Sequence, residues 1–186
     1  MQKLTDTVAL YSREDWGARK PGPMTEQGWD AHEVFIHHTD DTATWLDSLD
    51  DQKKRMRGYQ DFHMNVRGWS DIGYHAVVFP DFKTHSGTEV PARVFQGRDR
   101  NKVPAAQEGH NSGTLAIAVV GAADARMSRN TRYAVEAYIN WLKREGAPLR
   151  ELGGHRDVTA TQCPGDGIYS KDLPVIRDAT NLRKYS

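Results

Sequence analysis

The run Leu115-Ala116-Ile117-Ala118-Val119-Val120 contains six apolar residues in succession, with no polar side chain among them. A strand that exposes one face to water usually alternates polar and apolar residues, whereas a strand buried on both faces is apolar throughout. The run therefore predicts a central β-strand that other parts of the protein cover on both faces.

Three further apolar runs predict more strands of the same sheet. Residues 34–38 read Val-Phe-Ile-His-His, and their aromatic and β-branched side chains predict a buried strand. Residues 74–79 predict another strand, which Pro80 and Asp81 stop. Residues 93–96 are a further candidate, so the sheet has at least four predicted strands.

Two longer segments predict helices between these strands. Residues 45–66 carry apolar side chains at intervals of three, four and seven positions, which is the pattern of an amphipathic helix with one buried face. These side chains are Leu46, Leu49, Met56, Tyr59, Phe62 and Val66. Residues 129–145 predict a second helix, with Ser128 as its N-cap and Gly146 as its stop.

A short third helix is predicted near the end of the chain. It begins at about Ser170 or Asp172, and Pro174 is allowed in its first turn. Strands that alternate with helices predict an α/β fold, with a single mixed central β-sheet flanked by helices. The length suits one domain over residues 1–186, with residues 1–30 as an irregular N-terminal arm packed on it.

Charge and composition exclude several classes of protein. Lys plus Arg is 25 and Asp plus Glu is 25, so the chain is not a strongly basic nucleic-acid binder. No apolar run approaches the roughly 20 residues that a membrane span needs. Cys163 is the only cysteine, which rules out an intrachain disulfide. The first residues lack the apolar core of a secretory signal.

The eight histidines and the single cysteine are the natural place to look for metal chemistry. His37 lies at the end of a predicted strand, His155 ends a Leu-Gly-Gly-His run, and Cys163 follows eight residues later. Two imidazoles and a thiolate suit zinc, and three protein ligands leave a fourth position for water, as in catalytic sites. On the residues alone, the alternative is that Cys163 is a small buried apolar residue and binds no metal.

Four separated motifs occur together in one order along the chain. Together they resemble the peptidoglycan recognition protein and type 2 N-acetylmuramoyl-L-alanine amidase family, which includes phage endolysins. The resemblance spans about residues 12–176 and implies the fold of that family. The motifs are Ser12-Arg13-Glu14-Asp15-Trp16-Gly17-Ala18-Arg19, Val34-Phe35-Ile36-His37-His38-Thr39, Gly68-Trp69-Ser70-Asp71-Ile72-Gly73-Tyr74-His75 and Gly154-His155-Arg156-Asp157-Val158-Thr159-Ala160-Thr161-Gln162-Cys163-Pro164-Gly165.

The resemblance implies a role for particular residues. The family's zinc ligands correspond to His37, His155 and Cys163, and its catalytic tyrosine corresponds to Tyr74. Thr161 occupies a second catalytic position, where some phage members have lysine and many recognition proteins have threonine. The implied cofactor is therefore Zn²⁺.

The implied activity is zinc-dependent hydrolysis of the amide between N-acetylmuramic acid and the L-Ala of peptidoglycan, which lyses the cell wall. The partner would be the stem peptide and glycan of peptidoglycan, and no nucleic acid partner is expected. The protein is expected to be a monomer. One alternative is a non-catalytic peptidoglycan-binding module of the same fold, although such relatives typically lose the cysteine that this chain keeps. Another is a hydrolase in which Cys163 is the nucleophile.

The chain departs from the family in one segment. Many relatives carry an Ala-His pair shortly before Gly-Tyr-Asn, whereas residues 105–111 lack that histidine and have His110 in place of the tyrosine. Animal recognition proteins usually carry a disulfide, so its absence points to a bacterial or phage member. An endolysin would accumulate in the cytoplasm before its release to the wall; the alternative location is extracellular.

The remaining polar residues receive weaker assignments. Asp157 is expected to orient a ligand imidazole, as carboxylates near metal sites commonly do. The residues leave the identity of the general base open between Glu108 and His75. The alternative role for His75 is that of a packed core residue. His38 is expected to face away from the metal because successive strand residues point to opposite faces. Three other histidines are expected on the surface: His32, His63 and His85.

Overall fold

The computed structural model describes residues 1–41, 48–84, 86–121 and 126–186. Within them, eight strands form one sheet in the order β1-β2-β7-β4-β8-β3-β9-β10, and β5 and β6 form a separate pair. This arrangement confirms the predicted α/β fold with a mixed central sheet. The strands are β1 (Gln2–Lys3), β2 (Ala9–Tyr11), β3 (Glu33–His38), β4 (Ala76–Phe79), β5 (Phe82–Lys83), β6 (Glu89–Val90), β7 (Arg93–Gln96), β8 (Thr114–Val119), β9 (Glu151–Gly154) and β10 (Arg183–Lys184).

Strand β8 lies in the middle of the sheet, as its apolar sequence predicts. It runs parallel to both of its neighbours, β3 and β4, and all of its residues are buried. Strand β3 is also parallel to β9, whereas β4 is antiparallel to β7. The carboxyl ends of β8, β3 and β9 therefore meet at one edge of the sheet, which is where α/β proteins commonly place ligand sites.

Helix α1 spans Leu49–Asp61 and continues as a π-helical turn over Phe62–Val66. It begins after Ser48, whose hydroxyl accepts a backbone N–H of the first turn at 3.1 Å. Such an N-cap satisfies one of the donors that a helix start leaves without an internal partner. The predicted helix over residues 45–66 is confirmed from its second turn on, and residues 45–47 lie outside the described residues.

The other two helices also begin where the sequence predicts. Helix α2 (Arg129–Arg144) follows Ser128, whose hydroxyl accepts a first-turn N–H at 2.9 Å, and Gly146 ends it with a φ of 96°. Helix α3 (Leu173–Thr180) has Pro174 in its first turn. None of the helices in the described ranges is long and apolar enough to cross a membrane. The short helical turns are Phe62–Val66, His155–Asp157 and Ile168–Asp172.

The sheet carries a hydrophobic core on each face. One core packs α2 and α3 against residues such as Val34 and Ile36. The other packs α1, through Met56, with Trp16 and neighbouring strand residues. Because successive strand residues point to opposite faces, His37 lies on the α1 side of the sheet.

A buried ion pair and a hydrogen bond to it join three segments of the chain. Asp71 is fully buried, and its carboxylate lies 2.8 Å from the guanidinium of Arg13. The amide of Gln60, in α1, donates to the same carboxylate at 2.6 Å. The N-terminal segment, α1 and the segment that leads to Tyr74 are therefore joined by one polar network.

The first 30 residues are not wholly irregular, which corrects the sequence prediction. They contain β1 and β2, and β2 pairs in parallel with β7, with Leu10 opposite Val94. Strands of two or three residues are too short to show an alternation of polar and apolar side chains, so no pattern predicted them.

Strand β9 was also not predicted, because it contains Gly153 and Gly154. A Cβ atom on Gly154 would lie 2.9 Å from Pro164 Cδ and 2.9 Å from Tyr169 Cδ2, which is too close for real carbon atoms. Glycine is therefore required here because the chain segment around residue 164 packs directly onto the strand.

Candidate metal centre

The three predicted ligands His37, His155 and Cys163 lie together at the carboxyl edge of the sheet. Their possible ligand atoms are all within 4.8 Å of one another. His37 is in β3, and His155 directly follows β9. Since Ile36 pairs with Gly154 in the parallel register, the next residue of each strand emerges at the same level. The register of the sheet therefore brings the two imidazoles together.

The loop over residues 155–163 returns the sulfur of Cys163 to the imidazoles. The backbone N–H of Arg156 closes this loop by donating to the Cys163 carbonyl at 3.0 Å. The backbone N–H of His38 donates to Sγ at 3.4 Å, and Sγ lies 3.8 Å from Nδ1 of His37. Burial raises the pKa of the Cys163 thiol to about 11, so the thiolate forms at neutral pH only beside a cation.

Both imidazoles are held in the neutral form. Burial, and then the positive charge of a protonated His155, lowers the pKa of His37 to about 3. Burial, and then His38, also lowers the pKa of His155. The ring centroids of His37 and His155 are 4.6 Å apart, so two imidazolium ions would repel each other strongly. The neutral imidazole is the form that binds a metal.

The arrangement fits a divalent cation of borderline softness. Two imidazole nitrogens and one sulfur converge on one point, and the cation would supply the positive charge that the buried thiolate lacks. Across the described ranges, no other group of three His, Cys, Asp or Glu residues converges in this way. The cluster is therefore the candidate metal centre.

Tyr74 lies beside this centre, in the wall of a cleft of about 780 Å³. The centroid of its ring is 5.4 Å from that of His37, and its side chain is partly buried. Burial raises the pKa of the Tyr74 hydroxyl, which therefore keeps its proton and remains a hydrogen-bond donor. The same cleft is lined by Tyr59, His63 and Trp69.

Thr161 is held next to Cys163 by a local hydrogen bond. Its hydroxyl accepts the backbone N–H of Cys163 at 3.2 Å, and its side chain is partly buried. A hydroxyl that accepts one bond still has its own hydrogen to donate. The structure therefore fixes the place of this hydroxyl on the loop that carries the thiol.

The residue that contacts the imidazole of a candidate ligand, His37, is Gln107 rather than the predicted Asp157. Oε1 of Gln107 lies 3.1 Å from Nε2 of His37, and Gln107 is fully buried. The carboxylate of Asp157 instead accepts the N–H of Gly154 at 2.8 Å and the hydroxyl of Tyr169. The prediction for Asp157 is wrong because this carboxylate is used to hold its own loop.

His75 is a packed core residue, as one of the two interpretations of the sequence expected. It is fully buried, with Nε2 2.9 Å from the carbonyl of Lys102 and Nδ1 accepting the N–H of Ala116 at 3.1 Å. Both ring nitrogens are occupied, so His75 cannot act as the general base. Glu108, the other candidate, is exposed.

His63 is buried, which corrects the prediction that it lies on the surface. Its Nδ1 accepts the N–H of Gly73 at 3.2 Å, and its ring stacks on Trp69 with centroids 4.7 Å apart. His32 is exposed as predicted, and His85 lies outside the described residues. The side chain of His38 has Nε2 3.8 Å from a carboxylate oxygen of Asp40.

Comparison with known proteins finds relatives of this chain among individual sequences, although no family model matches it. The peptidoglycan-recognition protein LB of Drosophila melanogaster is 32% identical over 170 residues, which are 89% of this chain and 68% of that protein. The N-acetylmuramoyl-L-alanine amidase of Sus scrofa is 30% identical over 171 residues, which are 87% of this chain but 26% of that longer protein.

A solved structure supports the same relationship. The wild-type Drosophila protein PGRP-LB superposes with a TM-score of 0.73 at 31% identity, covering 89% of this chain and 92% of that one. A mutant of the same protein has been solved in complex with tracheal cytotoxin. The chain therefore belongs to the family of peptidoglycan-recognition proteins and N-acetylmuramoyl-L-alanine amidases.

Proposed function

We propose that this chain is a zinc-dependent N-acetylmuramoyl-L-alanine amidase, which hydrolyses the amide between the lactyl group of N-acetylmuramic acid and the L-Ala of the stem peptide. The convergence of His37, His155 and Cys163 carries the proposal. Structural zinc sites use four protein ligands, whereas three leave a place for water or substrate. When bound, zinc supplies the Lewis acidity that activates water and polarises an amide carbonyl.

Tyr74 would donate a hydrogen bond to the oxygen that becomes negatively charged during the attack. Its hydroxyl keeps its proton at neutral pH because burial raises its pKa, and its ring lies against His37. A donor placed at a developing oxyanion typically accelerates amide hydrolysis by about 10²–10³-fold.

Thr161, on the loop that carries Cys163, would hold the substrate carbonyl or the attacking water. Its hydroxyl is oriented by the N–H of Cys163, so the hydroxyl hydrogen is left for a substrate oxygen. Holding reactants in one geometry lowers the barrier because their freedom has already been lost.

The cleft beside the centre suits a muropeptide. Its walls carry both signs of charge, including Asp51, Lys54 and Arg67, together with the aromatic ring of Trp69. Sugar hydroxyls, peptide amides and charged stem-peptide groups would each find a partner in such a wall. The names of the relatives point to peptidoglycan as the source of this substrate.

The proposal is tested by digesting purified cell walls and measuring the free amino termini of L-Ala that appear. We expect release that stops when a chelator removes the metal and returns when zinc is added. Elemental analysis of the same samples gives the metal content of each. Full activity in protein shown to contain no metal would refute the proposal.

Two alternatives remain distinguishable in the same samples. A non-catalytic binding module, which the names of several relatives favour, would bind a muropeptide in calorimetry while zinc-loaded protein releases no L-Ala. A cysteine hydrolase would be active without metal and inactivated by iodoacetamide. The raised pKa of Cys163 argues against that nucleophile, because reactive cysteines have a lowered pKa.

A further inference from the structure

We propose that Gln107 is a positioning residue, which fixes His37 in the tautomer and ring orientation that bind a divalent cation. The inference deepens the proposed function and rests on it for the identity of that cation. It starts from a residue that no ligand motif contains and that the fold buries completely.

The orientation of the Gln107 amide follows from its neighbours. Its nitrogen lies 2.7 Å from the hydroxyl oxygen of Thr114, and its oxygen lies 3.1 Å from Nε2 of His37. The Thr114 hydroxyl has one hydrogen, which it donates to the carbonyl of Asn111 at 2.8 Å. It must therefore accept from Gln107, so the NH₂ group faces Thr114 and the amide oxygen faces His37.

This orientation decides which nitrogen of His37 carries the proton. The amide oxygen of Gln107 can only accept, so Nε2 of His37 must be the N–H donor. Nδ1 is then left with its lone pair, and it faces Sγ of Cys163 at 3.8 Å. The other tautomer would point an N–H at the metal position and set two acceptors against each other 3.1 Å apart.

The amide is itself held in place from the sheet. Thr114 is the first residue of β8, and it pairs with Glu33 of the strand that carries His37. The side-chain oxygen of Asn111 accepts the backbone N–H of Gln107 at 3.0 Å. Both ends of the glutamine are therefore anchored, and the chain of hydrogen bonds runs from β8 to the imidazole on β3.

A neutral amide suits this position electrostatically. A ligand histidine usually donates its second N–H to a carboxylate, a carbonyl or water, and removal of that partner typically weakens metal binding by about 10–100-fold. Gln107 supplies such an acceptor without adding a negative charge to a buried site whose thiol would become a thiolate on binding a cation.

The test compares the wild type with Gln107→Met, which keeps a side chain of similar length but cannot accept from Nε2. Long-range ¹H–¹⁵N NMR of the metal-free protein reports the His37 tautomer, and competition with a chromophoric chelator gives the Kd for zinc. We expect a single Nε2–H tautomer in the wild type, a mixture in the variant, and a Kd for zinc raised about 10–100-fold.

Three further variants separate positioning from a loss of packing. Gln60→Met makes the same change at another fully buried glutamine, whose amide contacts Asp71 and Arg19, and should leave the tautomer and the zinc Kd unchanged. Gln107→Glu retains an acceptor and should retain the Nε2–H tautomer. Thr114→Val should weaken zinc binding in the wild type but have no added effect beside Gln107→Met, because it acts through the same amide.

The outcomes distinguish this inference from the function it rests on. A Gln107→Met protein with the wild-type zinc Kd and a pure Nε2–H tautomer overturns the inference and leaves the proposed amidase standing. Should Gln107→Met not fold, equal zinc affinity in Thr114→Val and the wild type overturns it. A wild type that binds no zinc overturns the proposed function instead, while the tautomer measurement still decides whether Gln107 orients His37.

Discussion

Replacement of Tyr74 by phenylalanine removes one oxygen atom beside the metal centre and leaves the ring. The ring packs against His37, with centroids 5.4 Å apart, and against His63 at 5.6 Å, so the variant keeps these contacts. The three proposed metal ligands are untouched. We therefore expect the fold, the zinc content and the binding of a muropeptide to remain those of the wild type.

The catalytic rate should fall steeply, because the lost hydroxyl is the proposed donor to the developing oxyanion. A single donor of this kind contributes about 2.7–4 kcal/mol to the transition state, which predicts a kcat lowered by about 10²–10³-fold. If the hydroxyl acts only in the transition state, kcat/KM should fall by the same factor.

The assay is the initial rate of L-Ala release from a soluble muropeptide, measured at several concentrations with zinc-loaded protein. Tyr11→Phe is the matched control: it removes the same atom from a buried tyrosine that stacks on Phe95. Tyr11 is in β2, and three strands of the sheet separate β2 from β3, which carries His37. A Tyr74→Phe enzyme that keeps kcat within about threefold of the wild type would refute the oxyanion role, whatever its KM.

Three other predictions test the centre and its scaffold. Cys163→Ser should leave dialysed protein without stoichiometric zinc by elemental analysis while calorimetry still detects muropeptide binding; retained zinc would contradict the ligand assignment. Asp71→Ala leaves the guanidinium of Arg13 without its buried partner, which costs about 3 kcal/mol and should lower Tm by about 6–12 °C in thermal unfolding. Burial lowers the pKa of His75 to about 4, against about 6.5 in an unfolded chain. The contribution of neutral His75 to the free energy of unfolding is therefore present in full above pH 6.5. It is lost as the pH falls towards 4, and the loss is about 3 kcal/mol. Urea unfolding at several pH values measures this loss together with that of His37 and His63, whose pKa values burial also lowers, and a constant unfolding free energy from pH 7 to 4.5 would contradict it.

Sequence patterns predict the strands and helices that are long enough to show a regular spacing of apolar residues. The runs at residues 34–38 and 115–120 became β3 and β8, and Ser128 caps α2 as its position suggested. Strand β9 was hidden because its glycines satisfy a packing requirement set by a loop ten residues further on. Only the assembled structure reveals that requirement.

A change of helix type explains one wrong assignment. The amphipathic pattern placed Phe62 and Val66 on the buried face of α1, yet both are exposed and His63 is buried. The chain widens from an α-helix to a π-helical turn over Phe62–Val66, which shifts the inward-facing position by about one residue. A pattern with a fixed period of 3.6 residues cannot anticipate this shift.

The candidate site likewise contains residues that local motifs predict and one contact that only the folded chain reveals. The predicted site residues each lie in a recognisable motif. The structure brings the possible ligand atoms of His37, His155 and Cys163 within 4.8 Å of one another. It also puts the ring of Tyr74 next to His37 and the hydroxyl of Thr161 on the N–H of Cys163. The contact of the His37 imidazole with a glutamine 70 positions away has no local signature. The only available signal was that residues 105–111 depart from the family pattern.

The distribution of the three candidate ligands along the chain has a consequence for stability. Cys163 and His37 are 126 positions apart, so an unfolded chain would have to close a long loop to present all three candidate ligands to one ion, whereas the fold already holds them together. A cation that binds only the folded state, and whose free concentration is 100 times its Kd, adds about 2.7 kcal/mol to the free energy of unfolding. If the cluster binds zinc as proposed, the ion would act as a reversible cross-link between early and late parts of the polypeptide, and protein that lacks the metal would be easier to degrade.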